Sequence, residues 1–143
     1  MTTEISDDAL RAEVRAWLKA NYRPEELRGA TLWSSTPETR AWLTKVLEAG
    51  WATPRWPAEW WGRSLPGHQA RIVEREFAAV KAPGAGQDRG NLYANTAMAY
   101  GNDVLKAHFV RGILTGEINM CLLYSEPGAG SDALGSMRTT ATR

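Results

Sequence analysis

Residues Tyr124-Ser-Glu-Pro-Gly-Ala-Gly-Ser-Asp132 concentrate the chemistry of this chain. They offer hydroxyls at Ser125 and Ser131, carboxylates at Glu126 and Asp132, and small residues between them. Pro127 fixes φ near −65° and Gly128 tolerates positive φ, so Glu126-Pro127-Gly128-Ala129 has the composition of a type II turn. Gly130 permits a second reversal, and Asp132 can bond its own downstream backbone. A double turn of this kind exposes backbone N–H groups with no side chain in the way. Such a surface suits a flat polar heteroaromatic ring or a phosphate. Taken alone, a Pro-Gly-Ala-Gly stretch after a strand is more often a plain loop than a cofactor site. No Lys follows the glycines as in a Walker A loop, and neither the glycine spacing nor a following helix fits a dinucleotide fingerprint.

The turn must be carried by what precedes it. Ile118-Asn-Met-Cys-Leu-Leu-Tyr124 is largely apolar and unbroken by Gly or Pro, the pattern of a buried strand. Its two-residue period would place Leu122 and Tyr124 opposite Leu123. Met137–Arg143 alternates weakly, is rich in threonine, and reads as the opening of a second strand.

Everything upstream reads as helix. Ser6 is an N-cap, with Asp7 and Asp8 where the helix dipole favours negative charge. Leu10, Val14, Trp17 and Leu18 form an apolar stripe that should end near Tyr22, because Arg23 precedes Pro24. Residues 23–35 have no clean period and read as loop. A second helix starts at Thr36-Pro37, carries Trp42, Leu43, Val46 and Leu47, and ends with Gly50 available as a C-cap. Trp17 and Trp42 should be largely buried. Residues 51–67 hold Trp51, Trp56, Trp60 and Trp61 together with Pro54, Pro57 and Pro66. Without a basic cluster this segment is a poor platform for nucleic acid, and it reads as an aromatic cover over the core. A third helix is expected over about Gln69–Val80, broken by Lys81–Gly86. A small-residue helix should span Leu92–Tyr100, and a fifth, capped by Asn102 or Asp103, should carry Val104, Leu105, Phe109 and Ile113. The fold class expected is therefore mainly α: an orthogonal-type bundle of about five helices, then one or two strands of an incomplete β-domain.

Composition excludes several classes. The 143 residues hold 17 basic and 16 acidic side chains for a net charge of +1, so neither nucleic acid nor an anionic membrane is indicated. No apolar run approaches the ~20 residues of a membrane span. The acidic N-terminus has no signal core, and Cys121, the single cysteine, reads as a small buried hydrophobe. His68 and His108 stand apart from any zinc-ligand spacing. These features suit a cytosolic protein.

The nine-residue segment resembles the flavin-contacting signature of acyl-CoA dehydrogenases, usually Thr-Glu-Pro-x-Ala-Gly-Ser-Asp. Glu126, Pro127, Ala129, Gly130, Ser131 and Asp132 match it, and Ser125 keeps the hydroxyl of the usual Thr. Gly50-Trp-Ala-Thr-Pro54, Trp56-Pro57 and Leu114-Thr-Gly-Glu117 are similar to other family segments. Trp60-Trp61-Gly62-Arg63 departs from the usual Tyr-Gly-Gly or Trp-Gly-Gly. The resemblance implies a helical N-terminal domain over 1–116 and the beginning of the middle β-domain over 117–143. It implies FAD as cofactor, held by Leu122, Leu123, Tyr124, Ser125, Glu126, Pro127, Gly128, Ala129, Gly130 and Ser131. Ser131 would also face the acyl-CoA substrate, and Tyr93 and Met98 would wall the acyl group unless they serve only core packing. Homo- or hetero-oligomers are implied as well. In the family the glutamate that takes the substrate α-proton lies in the C-terminal domain, so no catalytic residue falls within this chain, and Glu126 is not a substitute. The acyl group stays open among straight, branched, aromatic and steroid-derived chains. From another class, the alternative is a non-catalytic helical interaction module or partner subunit.

Overall fold

The computed structural model describes residues 5–27, 36–122, 125–130, 135, 137–140 and 142. Among them stand six α-helices: α1 (Asp7–Asn21), α2 (Pro37–Glu48), α3 (Gly67–Ala79), α4 (Gln87–Gly90), α5 (Leu92–Tyr100) and α6 (Asp103–Thr115). Short 3₁₀ turns occupy Pro24–Leu27 and Ala58–Trp60.

Local chemistry sets most boundaries. Ser6, Thr36, Asn91 and Asn102 each accept a bond from the backbone N–H three residues on, and so cap α1, α2, α5 and α6. Gly116 closes α6 in the left-handed conformation, and Gly50 turns the chain just after α2 with φ of 77°.

Packing joins α1 to α3, α2 to α6 and α5 to α6. Leu10, Val14 and Leu18 meet Val73 and Phe77, while Leu43, Val46 and Leu47 meet Val110 and Leu114 in the same core. Trp42 is 5% exposed and its Nε1 donates to Pro83 O at 2.8 Å, so the indole is buried without an unmet donor. Trp17 is only half-buried, yet it packs between Trp42 and Phe77 at ring-centroid distances of 5.6 and 5.9 Å. The expected burial thus holds fully for Trp42 and partly for Trp17. The tryptophan-rich segment closes on itself: Leu65 N donates to Pro54 O at 2.9 Å and Ser64 N to Trp56 O at 2.9 Å.

The expected strands are not seen. No strand occurs among the described residues, and Asn119, Met120, Cys121 and Leu122 are exposed. A strand needs a neighbour for its N–H and C=O groups, and no described segment offers 118–122 such a ladder. Ile118 instead donates its N–H to Gly112 O at 2.9 Å, and its side chain lies where a Cβ on Gly112 would stand, 2.6 Å away. Cys121 is accordingly exposed rather than a core residue. Residues 137–140 form no strand either. Val104, Leu105 and Phe109, expected on the buried side of α6, are exposed, while Val110, Ile113 and Leu114 enter the core.

Candidate functional site

Two features sit along the segment that leaves α6. The first is a reversal at residues 126–129. Glu126 N donates to Ala129 O and Ala129 N to Glu126 O, each at 3.0 Å, with Pro127 and Gly128 at the tip. The reversal is where the sequence places it, but Gly128 is not among the glycines with positive φ, so a type II turn is not formed. A Cβ built on Gly128 or Gly130 would meet nothing within 4 Å. Neither conformation nor packing within the described residues requires glycine at 128. What its absent side chain provides is clearance over the backbone, the property a flat ring needs in order to approach. Ser125, just before the turn, is exposed.

Glu126 braces this turn. Its carboxylate accepts from Arg138 N at 2.9 Å, from Thr139 N at 2.7 Å and from the Thr139 hydroxyl. The hydroxyl bond and then the two N–H bonds hold its pKa below the ordinary value. The carboxylate is thus charged and engaged as a staple between 126 and 138–139.

The second feature is an apolar groove of about 530 Å³ between the outer sides of α5 and α6 and the 120–122 segment. Leu92, Thr96 and Tyr100 line one wall, Leu105 and Phe109 the other, and Met120 to Leu122 the third. A smaller chamber of about 120 Å³ lies beside it, reaching Gln87, Gly90 and Asn91.

A polar framework positions these walls. Gln87 donates from its backbone to Ala52 O at 2.7 Å and from its amide to Leu114 O at 3.0 Å, tying α4 to both the tryptophan segment and α6. Its Oε1 accepts from Asn91 Nδ2 at 3.0 Å, and Asn91 in turn caps α5. Asp88, whose side chain is wholly buried, accepts from Arg55 N at 2.8 Å and from Arg55 Nη1 at 2.9 Å. Arg55 also pairs with Glu74 of α3 at 2.8 Å, and Arg89 lies 3.8 Å from the same carboxylate. Burial pushes the Asp88 carboxyl above its ordinary pKa, and the Arg55 bonds only partly offset it.

The structure separates the residues that the sequence groups together. Leu122 joins the groove wall, whereas Ser125, Glu126, Pro127, Gly128, Ala129 and Gly130 form or flank the turn. Leu123, Tyr124, Ser131 and Asp132 lie outside the described residues. Of the two expected wall residues, Tyr93 lines the groove, while Met98 packs against the core. Leu92, Tyr100, Leu105, Phe109, Met120 and Cys121 are groove residues that sequence reasoning missed. The signal was present: Leu92, Thr96 and Tyr100 recur at four-residue spacing, on a helix whose alanines already supply its core face.

Comparison with known proteins gives the family. Residues 5–117 match the family model described as acyl-CoA dehydrogenase, N-terminal domain. The chain is 34% identical over 142 residues to acyl-CoA dehydrogenase FadE26 of Mycobacterium tuberculosis, an alignment covering 95% of this chain and 34% of that protein. It is 35% identical to acyl-CoA dehydrogenase IpdE1 of Mycolicibacterium smegmatis, covering 96% and 36%. Among solved structures, the ChsE4–ChsE5 complex from Mycobacterium tuberculosis superposes with a TM-score of 0.65 at 33% identity, covering 100% of this chain and 36% of that one. The Tcur3481–Tcur3483 steroid ACAD superposes with a TM-score of 0.63 at 26% identity, covering 95% and 36%. The chain therefore spans about a third of the length of each of these relatives.

Proposed function

The chain belongs to the acyl-CoA dehydrogenase family, and we propose from that premise that it supplies the N-terminal part of a flavin-dependent α,β-dehydrogenation of an acyl-CoA thioester. Residues 1–116 serve as the helical domain that walls the acyl group, and residues 117–143 begin the middle β-domain. The observation that carries this reading is the adjacency in sequence of an apolar groove ending at Leu122 and an open, glycine-bearing turn starting at Glu126.

FAD, when bound, supplies the acceptor of the substrate's β-hydrogen. This chain's own residues position and shelter. The Ser125 hydroxyl would hydrogen-bond the polar edge of the ring, and the backbone around Gly128 and Gly130 would let that edge come close. By the family resemblance Leu123, Tyr124 and Ser131 would also hold the ring, with Ser131 shared with the thioester. Leu92, Tyr93, Leu105 and Phe109 hold the acyl group and exclude water from it. Glu126 takes no proton from substrate, because its oxygens are committed to Arg138 and Thr139. None of residues 1–143 is assigned the role of the base.

A partner-subunit role is the second reading, favoured by the solved relatives being complexes of two named proteins. We extend to this chain a hetero-oligomeric assembly and, from the relative described as a steroid ACAD, a bulky ring-bearing acyl group among the substrates to test. One experiment addresses both. The assembly containing this chain should be yellow, and its flavin should bleach on adding a straight-chain or steroid-derived acyl-CoA. A flavin-loaded assembly that bleaches with neither refutes the dehydrogenase reading. An active assembly whose flavin contacts come wholly from another chain leaves this one as the partner subunit.

A further inference from the structure

The groove and the chamber beside it share three residues, Tyr93 of α5, Ile113 of α6 and Met120 of the segment that follows. Among the described residues, no others line both spaces. Ile113 belongs to the core, being 8% exposed, so its place is fixed by packing. Met120 differs in kind. It is 42% exposed, lies outside any helix, and is an unbranched thioether side chain that repacks at low cost. The chamber behind it is mostly apolar, and the polar groups at its far end are already bonded: Gln87 to Gly84, Leu114 and Asn91, and Asn91 to Ala94.

We propose that Met120 and Tyr93 form a septum that sets how far an acyl group reaches, and that the 120 Å³ chamber behind it is a blocked extension of the acyl site. The inference rests on the acyl-CoA reading above and adds the residues that decide acyl length. A cavity of about 150 Å³ lined by apolar side chains accepts benzene, so a chamber of 120 Å³ holds about four to five further carbons. Each methylene buried there is worth roughly 0.8 kcal/mol, or about fourfold in kcat/KM.

The test uses the flavin-loaded assembly containing this chain and a series of straight-chain acyl-CoA thioesters lengthened two carbons at a time. Met120→Ala and, independently, Tyr93→Leu open the septum from its two sides. The control is Met98→Ala, which removes the same side chain from the same region but lines neither space. In Met120→Ala, kcat/KM for thioesters beyond the wild-type optimum should rise about fourfold per methylene over four to five carbons, then level. Shorter thioesters should lose activity or stay level. Met98→Ala should leave the length preference where it was. An unchanged length profile in both septum variants overturns the proposal while leaving the acyl-CoA reading intact. So does an equal shift in Met98→Ala, which would indicate general loosening. No turnover by the wild-type assembly at any length refutes the underlying reading, and the septum with it.

Discussion

Replacing Asp88 by alanine tests the framework behind the site most directly. The carboxylate receives two bonds from Arg55, one from the backbone N–H and one from the guanidinium, and its side chain has no exposed surface. Alanine leaves that N–H without its acceptor, a cost of roughly 1–3 kcal/mol, and removes a charge-assisted bond of about 1.5–3 kcal/mol. The guanidinium is not stranded, because Glu74 still pairs with it at 2.8 Å and it is partly solvated. The total should therefore fall near 2–4 kcal/mol, below the ~3–5 kcal/mol of a fully broken buried pair. For a chain of this size that lowers Tm by about 6–14 °C in a calorimetric or circular-dichroism melt. Asp88→Asn should behave differently. Burial raises the Asp88 pKa, so the charge itself costs stability. An amide keeps one acceptor oxygen but turns its NH2 toward the other Arg55 donor, so the loss should be about 1–3 kcal/mol, smaller than for alanine. The sign of the pH dependence follows. A carboxyl whose folded pKa lies above its unfolded value of ~3.9 contributes stability that is complete below that value and is lost as pH rises through the folded pKa. Asp88→Asn should abolish that decline. A Tm for Asp88→Ala within ~2 °C of wild type, or a larger loss in Asp88→Asn than in Asp88→Ala, would refute the reasoning.

Further outcomes follow from the same geometry. The isolated chain should pass through gel filtration colourless. In the flavin-loaded assembly Ser125→Ala should weaken FAD binding by about 1 kcal/mol, near fivefold, in a flavin-release titration. Glu126→Gln should speed hydrogen exchange at the amides of Arg138 and Thr139 while lowering kcat less than about tenfold, whereas loss of a general base costs ~10²–10⁴-fold. Because the Glu126 pKa is depressed, that staple should be complete above the ordinary Glu pKa of ~4.3 and be lost as pH falls through the lower folded value. Trp42→Phe, which strands Pro83 O and empties part of a buried site, should cost about 1–3 kcal/mol in a denaturant melt.

The helices were legible because their ends are written in single residues. Ser6, Thr36 with Pro37, and Asn102 each announce a cap, and the α5 boundaries of Leu92 and Tyr100 were read from small-residue content and the flanking breakers. Helix α4 escaped because four residues hold no period, and its anchoring lies in Gln87 and Asp88 bonds to residues over 25 positions away. The apolar run after α6 misled for an instructive reason. Met120, Cys121 and Leu122 are apolar because they face a groove, and a run of such residues looks the same whether a sheet or a cavity adjoins it. The turn at 126–129 was placed by Pro127 and Gly128, while its actual type depends on the reciprocal bonds between Glu126 and Ala129.

Helix α5 buries only Ala94 and Ala97, and Tyr100 at its end is 88% exposed. The helix that forms a wall of the groove thus contributes little to the cohesion of the chain, and local opening there should need less free energy than opening of α1 or α2. An apolar guest in the groove would supply the burial that α5 lacks. Its binding would tighten the protein by mass action, adding about RT ln(1 + [L]/Kd), roughly 2.7 kcal/mol at a hundredfold excess over Kd. On the proposed reading an acyl group would complete the apolar packing on this side, and occupancy and local order should rise together.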